Sequence, residues 1–378
     1  MLYRMLVYPF SAISTRHSGK RRGVMSIPIP KQTIPADDRS QDFDNNRSPV
    51  RSPKEKFARW LKFGLRLGCT IILFVFLFRS ISWSALLHNI PHLDHGALFI
   101  GVAIGLLGVI ISAYQWQSLL DAEYIRMDLR RLVNFYLVGI AFNHFLPTGM
   151  GGDMVKAYYV GREGKNTVGA ASAVIMSRAT GFIGMLFISV PALFIWHALF
   201  PHDLTITFLL ACFAVCGVLA CAFCGMTVLP RFLTGKWAQN RGVALLLTLG
   251  NAIHRSVKQP HTTWVAVVFG MLFHFSAALN YYGYALVLHI QVPFVFYLVA
   301  VPFVSLIAFL PISINGFGLR ETTFLYIFTT IHVLPTTSFL LAILMDLQTL
   351  LFGVIGGCIY LQMGMKKGKS RYGVQENE

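Results

Sequence analysis

The sequence predicts an all-α polytopic membrane protein with about eight transmembrane segments, two of them broken and re-entrant and related as an inverted repeat. Three observations predict it. First, 55% of the 378 residues are hydrophobic, mean hydropathy is +0.60, and only 13% are charged, against roughly 25% in soluble domains. Second, several apolar runs reach the roughly 20 residues needed to cross a bilayer core. Third, one interrupted block occurs twice. Phe135–Lys156 and Phe296–Glu321 both open on Phe-Tyr-Leu-Val. Both then reach Phe-Leu-Pro, followed by a Gly/Asn-Gly pair, and the second copy carries three extra residues.

The elements follow in order. Residues 1–56 hold Pro28, Pro30, Pro35, Pro49 and Pro53 with a mixed-charge run, which reads as a disordered basic cytoplasmic tail. Met5–Ile13 is too weak for a signal peptide, and Met25 offers an alternative start. A membrane domain spans 57–364, with halves at 97–196 and 263–362. Its spans are 63–82, 97–119, 169–196, 204–228, 263–288 and 337–362. The broken segments are 132–147 with a return over 153–160, and 294–313 with a return over 319–331. Residues 231–258 mix Trp237, Leu246, Leu247 and Ile253 with Arg231, Lys236, Arg241, Arg255 and Lys258, as a helix lying in the interface would. A basic cytoplasmic tail, 365–378, closes the chain. Cys69, Cys212, Cys216, Cys221, Cys224 and Cys358 all fall in apolar runs and read as small residues packed among helices.

Charge orients the spans. The net charge of +16 sits in the tails and in particular loops, which argues for topology signals and anionic lipid contact. No basic-aromatic module points to nucleic acid. Arg126, Arg130 and Arg131 precede the first broken segment, and Lys156, Arg162 and Lys165 follow it, so it begins and ends inside. The loops around the second, 289–293 and 332–336, carry no Lys or Arg, so it begins and ends outside. Each segment must enter and return, from opposite faces. Both termini are then cytoplasmic.

Irregular backbone at membrane depth is tolerated only where protein buries it or a cavity receives it. Pro147 and Pro311 end their helices. Gly149, Gly151 and Gly152, and Asn315 with Gly316 and Gly318, let the chain turn and a ligand approach. Asp153 is the expected N-cap of the first return helix. Helix N-termini there suit a phosphate. Charges within spans are costly and mark function: Arg178 and Asp346 each fall about ten residues into their spans. The expectation is that Lys156, Arg178 and Arg320 attract a lipid phosphate while Asp153, Glu321 and Asp346 balance them or take protons. Internal ion pairing is the structural alternative. His144, His274 and Asn280 read as interhelical hydrogen-bond partners. No catalytic motif, nucleotide loop or metal signature occurs, so no enzyme activity, catalytic residue, metal or cofactor is expected.

Asn143-x-x-Leu146-Pro147-x-Gly149-x-Gly151-Gly152-Asp153 and Ile314-Asn315-Gly316-x-Gly318-x-Arg320-Glu321 resemble the two signatures of the lysylphosphatidylglycerol synthase transmembrane-region family, the flippase-like proteins. The resemblance covers about residues 60–362. It implies a multi-helix domain that moves lipids such as aminoacylated phosphatidylglycerol or polyprenyl-linked glycans. Where the family often has Glu-Arg, this chain has Ser177-Arg178. The full synthases carry a soluble aminoacyl-transferase domain after the membrane part. About 16 residues follow the last span here, so the expectation is that this activity does not carry over.

The resulting expectation is a flippase of the cytoplasmic (inner) membrane that moves an anionic or phosphate-bearing lipid, with a separate transferase and self-association as further partners. Two alternatives stay open: the membrane subunit of a lipid-modifying enzyme, and a scaffold for envelope synthesis.

Overall fold

A computed structural model describes Gly68 and residues 94–145, 151–232, 241–308, 313 and 316–372. The N-terminal tail and, apart from Gly68, the span at 63–82 lie outside the described residues. So do Pro147, Gly149, Pro311 and Asn315.

The described residues form ten α-helices and one short 3-10 turn, with no strand among them. They are α1 His95–Ala122, α2 Leu129–Phe145, α3 Gly151–Glu163, α4 Thr167–Ile195, α5 His202–Phe232, α6 Arg241–Val257, α7 Pro260–Val287, α8 Phe294–Ala308, α9 Leu319–Thr329 and α10 Pro335–Tyr372. Local chemistry sets several starts. Asp94 and Asn166 accept the Gly96 and Gly169 N–H groups, each at 2.8 Å, and so cap α1 and α4. Pro260 and Pro335 open α7 and α10, where a missing N–H costs nothing. The last helix continues through the basic run to Tyr372 instead of ending near 362. Cations suit a helix C-terminus, so the run does not stop it.

Five helices (α1, α4, α5, α7 and α10) are long and apolar enough to cross a membrane. The broken segments are not. α2 and α8 have 17 and 15 residues, or about 26 and 22 Å at 1.5 Å per residue, short of the roughly 30 Å hydrocarbon core. Each folds back on its successor. Phe135 stacks on Tyr159 with ring centroids 5.4 Å apart. Asn143 Oδ1 accepts the Gly152 N–H at 2.7 Å. Position numbers therefore fall along α3 as they rise along α2, and the two are an antiparallel hairpin. Phe296 meets Phe328 at 5.6 Å, and Ala308 lies against Gly316, so α8 and α9 do the same.

Around the hairpins stand the long helices. α1 and α7 run antiparallel side by side. Tyr114 stacks on Phe269 at 5.7 Å, Gln115 Nε2 donates to the Ala266 carbonyl at 3.1 Å, and Gln259 reaches the Ala122 carbonyl at 3.5 Å. α4 reaches the second hairpin, where Ser189 Oγ donates to the Leu298 carbonyl at 2.8 Å. α10 reaches the first, where Gly356 lies on the Leu137 carbonyl. Leu137 and Leu298 hold the same place in the two Phe-Tyr-Leu-Val blocks.

The largest apolar core surrounds the second hairpin, with Phe296, Tyr297, Phe324 and Phe328 almost fully buried. A second core, centred on Trp116, Leu119, Leu120 and Leu132, lies beside the first. Large apolar residues such as Phe99, Leu210, Phe213 and Val354 are exposed, as lipid-facing side chains are. The cysteine expectation is corrected here. Cys212 is buried, but Cys216, Cys221, Cys224 and Cys358 are exposed, and none of the five is disulfide-bonded. Lipid satisfies a thiol as well as a protein interior does, so hydropathy alone does not bury it.

Gly356 gives a direct test of the α2–α10 crossing. A Cβ there would collide with the Leu137 backbone, whereas one on neighbouring Gly357 meets nothing within 4 Å. Gly356→Ala should lower the thermal unfolding midpoint of the detergent-solubilised protein, by about 1–3 kcal/mol of stability. Gly357→Ala should leave it unchanged or raise it.

Candidate functional site

Asp153 and Lys156 of the first hairpin meet Arg178 of α4 in one charge cluster. Asp153 lies in the first turn of α3 and is 7% exposed. Lys156 Nζ is 2.7 Å from its Oδ1, and Arg178 on α4 grips Oδ2 with Nη2 at 2.7 Å and Nε at 2.9 Å. Lys156 is buried to the same degree, with its ammonium 4.1 Å from the Tyr136 ring centre and 5.6 Å from that of Trp116. Ring faces attract a cation, so a carboxylate and two aromatic faces hold this lysine. The Arg178 side chain is 46% exposed. Two cations thus share one anion, and the outer cation faces away from the packed interior.

The expected N-cap role of Asp153 is corrected by this geometry. α3 begins two residues earlier, and the Gly152 N–H is taken by Asn143 from the opposite arm. The carboxylate is committed to its two cations.

The second hairpin reverses the signs. Arg320, in the first turn of α9, donates through Nη1 to Asp346 Oδ1 on α10 at 3.0 Å. The acid of the first pair lies on the return helix and the base on the following long helix; here the base lies on the return helix and the acid on the long one. The separations along the chain are 25 and 26 residues. Glu321 follows Arg320 and is 1% exposed. Its carboxyl stands beside that of Asp346, and Oε2 meets no donor. The turn before α9 needs glycine: Gly316 and Gly318 have φ of 78° and 80°. Gly318 caps α9 without a side-chain bond.

The two hairpin ends meet. The His144 and Phe317 rings are 5.9 Å apart, and His144 Nε2 lies 3.3 Å from the Thr349 carbonyl on α10. No hydrogen bond or ion pair among the described residues joins the two charge clusters themselves. Of the predicted residues, the structure brings together Asn143 with Gly152, and Asp153 with Lys156 and Arg178. It also joins Arg320 and Glu321 with Asp346, and Gly151 opens α3. A cavity of about 440 Å³ lies elsewhere, lined by Gln117, Asp121, Arg126, Arg131 and Glu163 among others, and none of the predicted residues lines it.

Sequence reasoning missed several polar residues. Gln115 Nε2 bonds Thr180 Oγ1 at 3.1 Å as well as Ala266. Gln348 Oε1 accepts from Tyr284 at 2.6 Å and Asn280 at 3.3 Å. Glu123, 3% exposed, is bonded by Arg255 Nη2 at 3.0 Å and Ser256 Oγ at 3.1 Å. An amide or acid inside or just after an apolar run was the available signal.

These features define a multi-pass helical membrane protein built round two folded-back hairpins. The chain belongs to the lysylphosphatidylglycerol synthase TM region family, whose model matches residues 62–357. No curated protein and no solved structure matches it.

The ion pairs are separable by mutation. Asp153→Asn leaves Lys156 buried without a counter-charge and should destabilise the protein by about 3–5 kcal/mol, read as a lower unfolding midpoint. Arg320→Asp should likewise destabilise, and combining it with Asp346→Arg should restore most of the loss.

Proposed function

We propose that this protein is a lipid transporter of the flippase type, moving an anionic or phosphate-bearing lipid across the cytoplasmic membrane. The observation that carries the reading is the meeting of two antiparallel hairpins end to end at His144 and Phe317. Paired broken segments place a transporter's site where they approach each other.

The halves α1–α4 and α7–α10 act as an inverted-topology repeat. Support comes from the antiparallel α1–α7 pairing, the matched Leu137 and Leu298 contacts and the mirrored ion pairs. The basic loops support cytoplasmic placement of both termini. Family membership supports a lipid-related role.

In this mechanism the headgroup is drawn to the first cluster, where Lys156 and Arg178 outnumber Asp153. Arg178 has donors to spare and a half-exposed side chain. A planar guanidinium bonds phosphate oxygens well. The acyl or prenyl tail stays in the bilayer while the hairpins alternately open the headgroup to either face. The chain itself is no enzyme, and headgroup chemistry falls to a separate transferase.

A second reading, the membrane subunit of a lipid-modifying enzyme, is favoured by membership of a family named for the membrane region of a synthase. One experiment separates the two. Purified protein in liposomes with headgroup-labelled anionic lipid should move label between leaflets without altering it. Arg178→Gln should slow that movement at least tenfold with normal folding. Chemical conversion of the headgroup by the pure chain would favour the enzyme reading. Arg178→Gln movement at the wild-type rate would remove that residue from the site.

A further inference from the structure

The two clusters have opposite charge excess. The first has two bases and one acid. The second has Arg320 against two acids, Asp346 and Glu321. Arg320 is committed to Asp346 at 3.0 Å. Glu321 is the more deeply buried acid, at 1% exposure, and its Oε2 has no donor.

Among the described residues, the surroundings supply no second cation. From α7, Tyr281 faces the cluster and stacks on Phe324 with ring centroids 4.7 Å apart. From α10 comes Asp346, and from α9 itself Arg320. The titratable residue of α8, Tyr297, meets Phe328 further along the helix at 5.6 Å. Two adjacent carboxylates, one almost fully buried and sharing a single guanidinium's charge, repel each other, and burial adds a desolvation cost. A proton removes one charge and supplies the missing donor at once. A metal ion would need more oxygen ligands than two carboxyls offer, and no group of three or more acidic, His or Cys side chains positioned for one occurs among the described residues.

We propose that Glu321 and Asp346 hold one proton between them and form the site at which transport is coupled to a proton gradient. The proton is taken from water on one face as the second hairpin opens to it, rests on the Glu321–Asp346 pair while the cluster is closed, and returns to water on the other face. Site and ion are thereby assigned to different hairpins: the lipid anion to the first, the proton to the second. This rests on the transport reading for its role in coupling, but not for the presence of the proton.

The test therefore has two arms. In the first, infrared spectra of purified protein at neutral pH should show the carbonyl band of a protonated carboxylic acid, shifted by deuterium exchange. The band should be absent from Glu321→Gln. Asp346→Asn is a second variant that also removes the shared pair. A wild-type spectrum without this band, or a Glu321→Gln spectrum that retains it, overturns the proposal whatever the lipid does. In the second arm, wild-type proteoliposomes carrying labelled phosphatidylglycerol are given a pH gradient. Lipid movement should accelerate severalfold with the gradient, and Glu321→Gln should move lipid equally with and without it. Acceleration by a sodium gradient instead would overturn the choice of ion. If the band is present and the wild type moves no lipid, the transport reading falls and the proton site stands.

Discussion

Backbone amides inside a membrane must find their partners within the protein, and every feature of this fold follows from that constraint. A chain that turns back before crossing exposes unbonded N–H and C=O groups at its turn. Such a turn survives only where other helices cover it. Here α10 covers the end of the first hairpin, receiving His144 at the Thr349 carbonyl, while α4 braces the second through Ser189. The hairpins cannot stand alone, and the long helices have their polar residues where the hairpins need them.

Polar side chains serve as the specific contacts in this bundle. Apolar surface gives little preference between one helix pair and another when lipid is equally apolar. Register is set by Gln115 between α1, α4 and α7, by Gln348 with Asn280 and Tyr284, and by the two acid–base pairs. Close backbone contact at Gly356 adds dispersion where no side chain intervenes.

Much of this was legible in the sequence, and the limits were physical. Helix positions followed from run length, and the hairpins from Pro-Gly breaks flanked by loops of one charge character. Arg178 and Asp346 stood out because a charge in an apolar run is rare. His144 and Asn280 were read as interhelical partners and are so. The N-cap was misjudged at Asp153 because the true acceptor, Asn143 Oδ1, reaches the Gly152 N–H only once the hairpin closes. Glu123 was invisible as a buried residue, since its partners Arg255 and Ser256 lie far along the chain. Four cysteines, Cys216, Cys221, Cys224 and Cys358, were misplaced because a helix apolar on every face does not say which face meets lipid.

The bond from Glu123 to α6 limits how the molecule can move. Arg255 and Ser256 fasten the connecting helix to the end of α1, and Thr263 Oγ1 donates to the Ser256 carbonyl across the elbow into α7. The joint between the two halves is thus riveted on both sides. With α1 and α7 paired along their length as well, α1, α6 and α7 make one continuous girder across the joint.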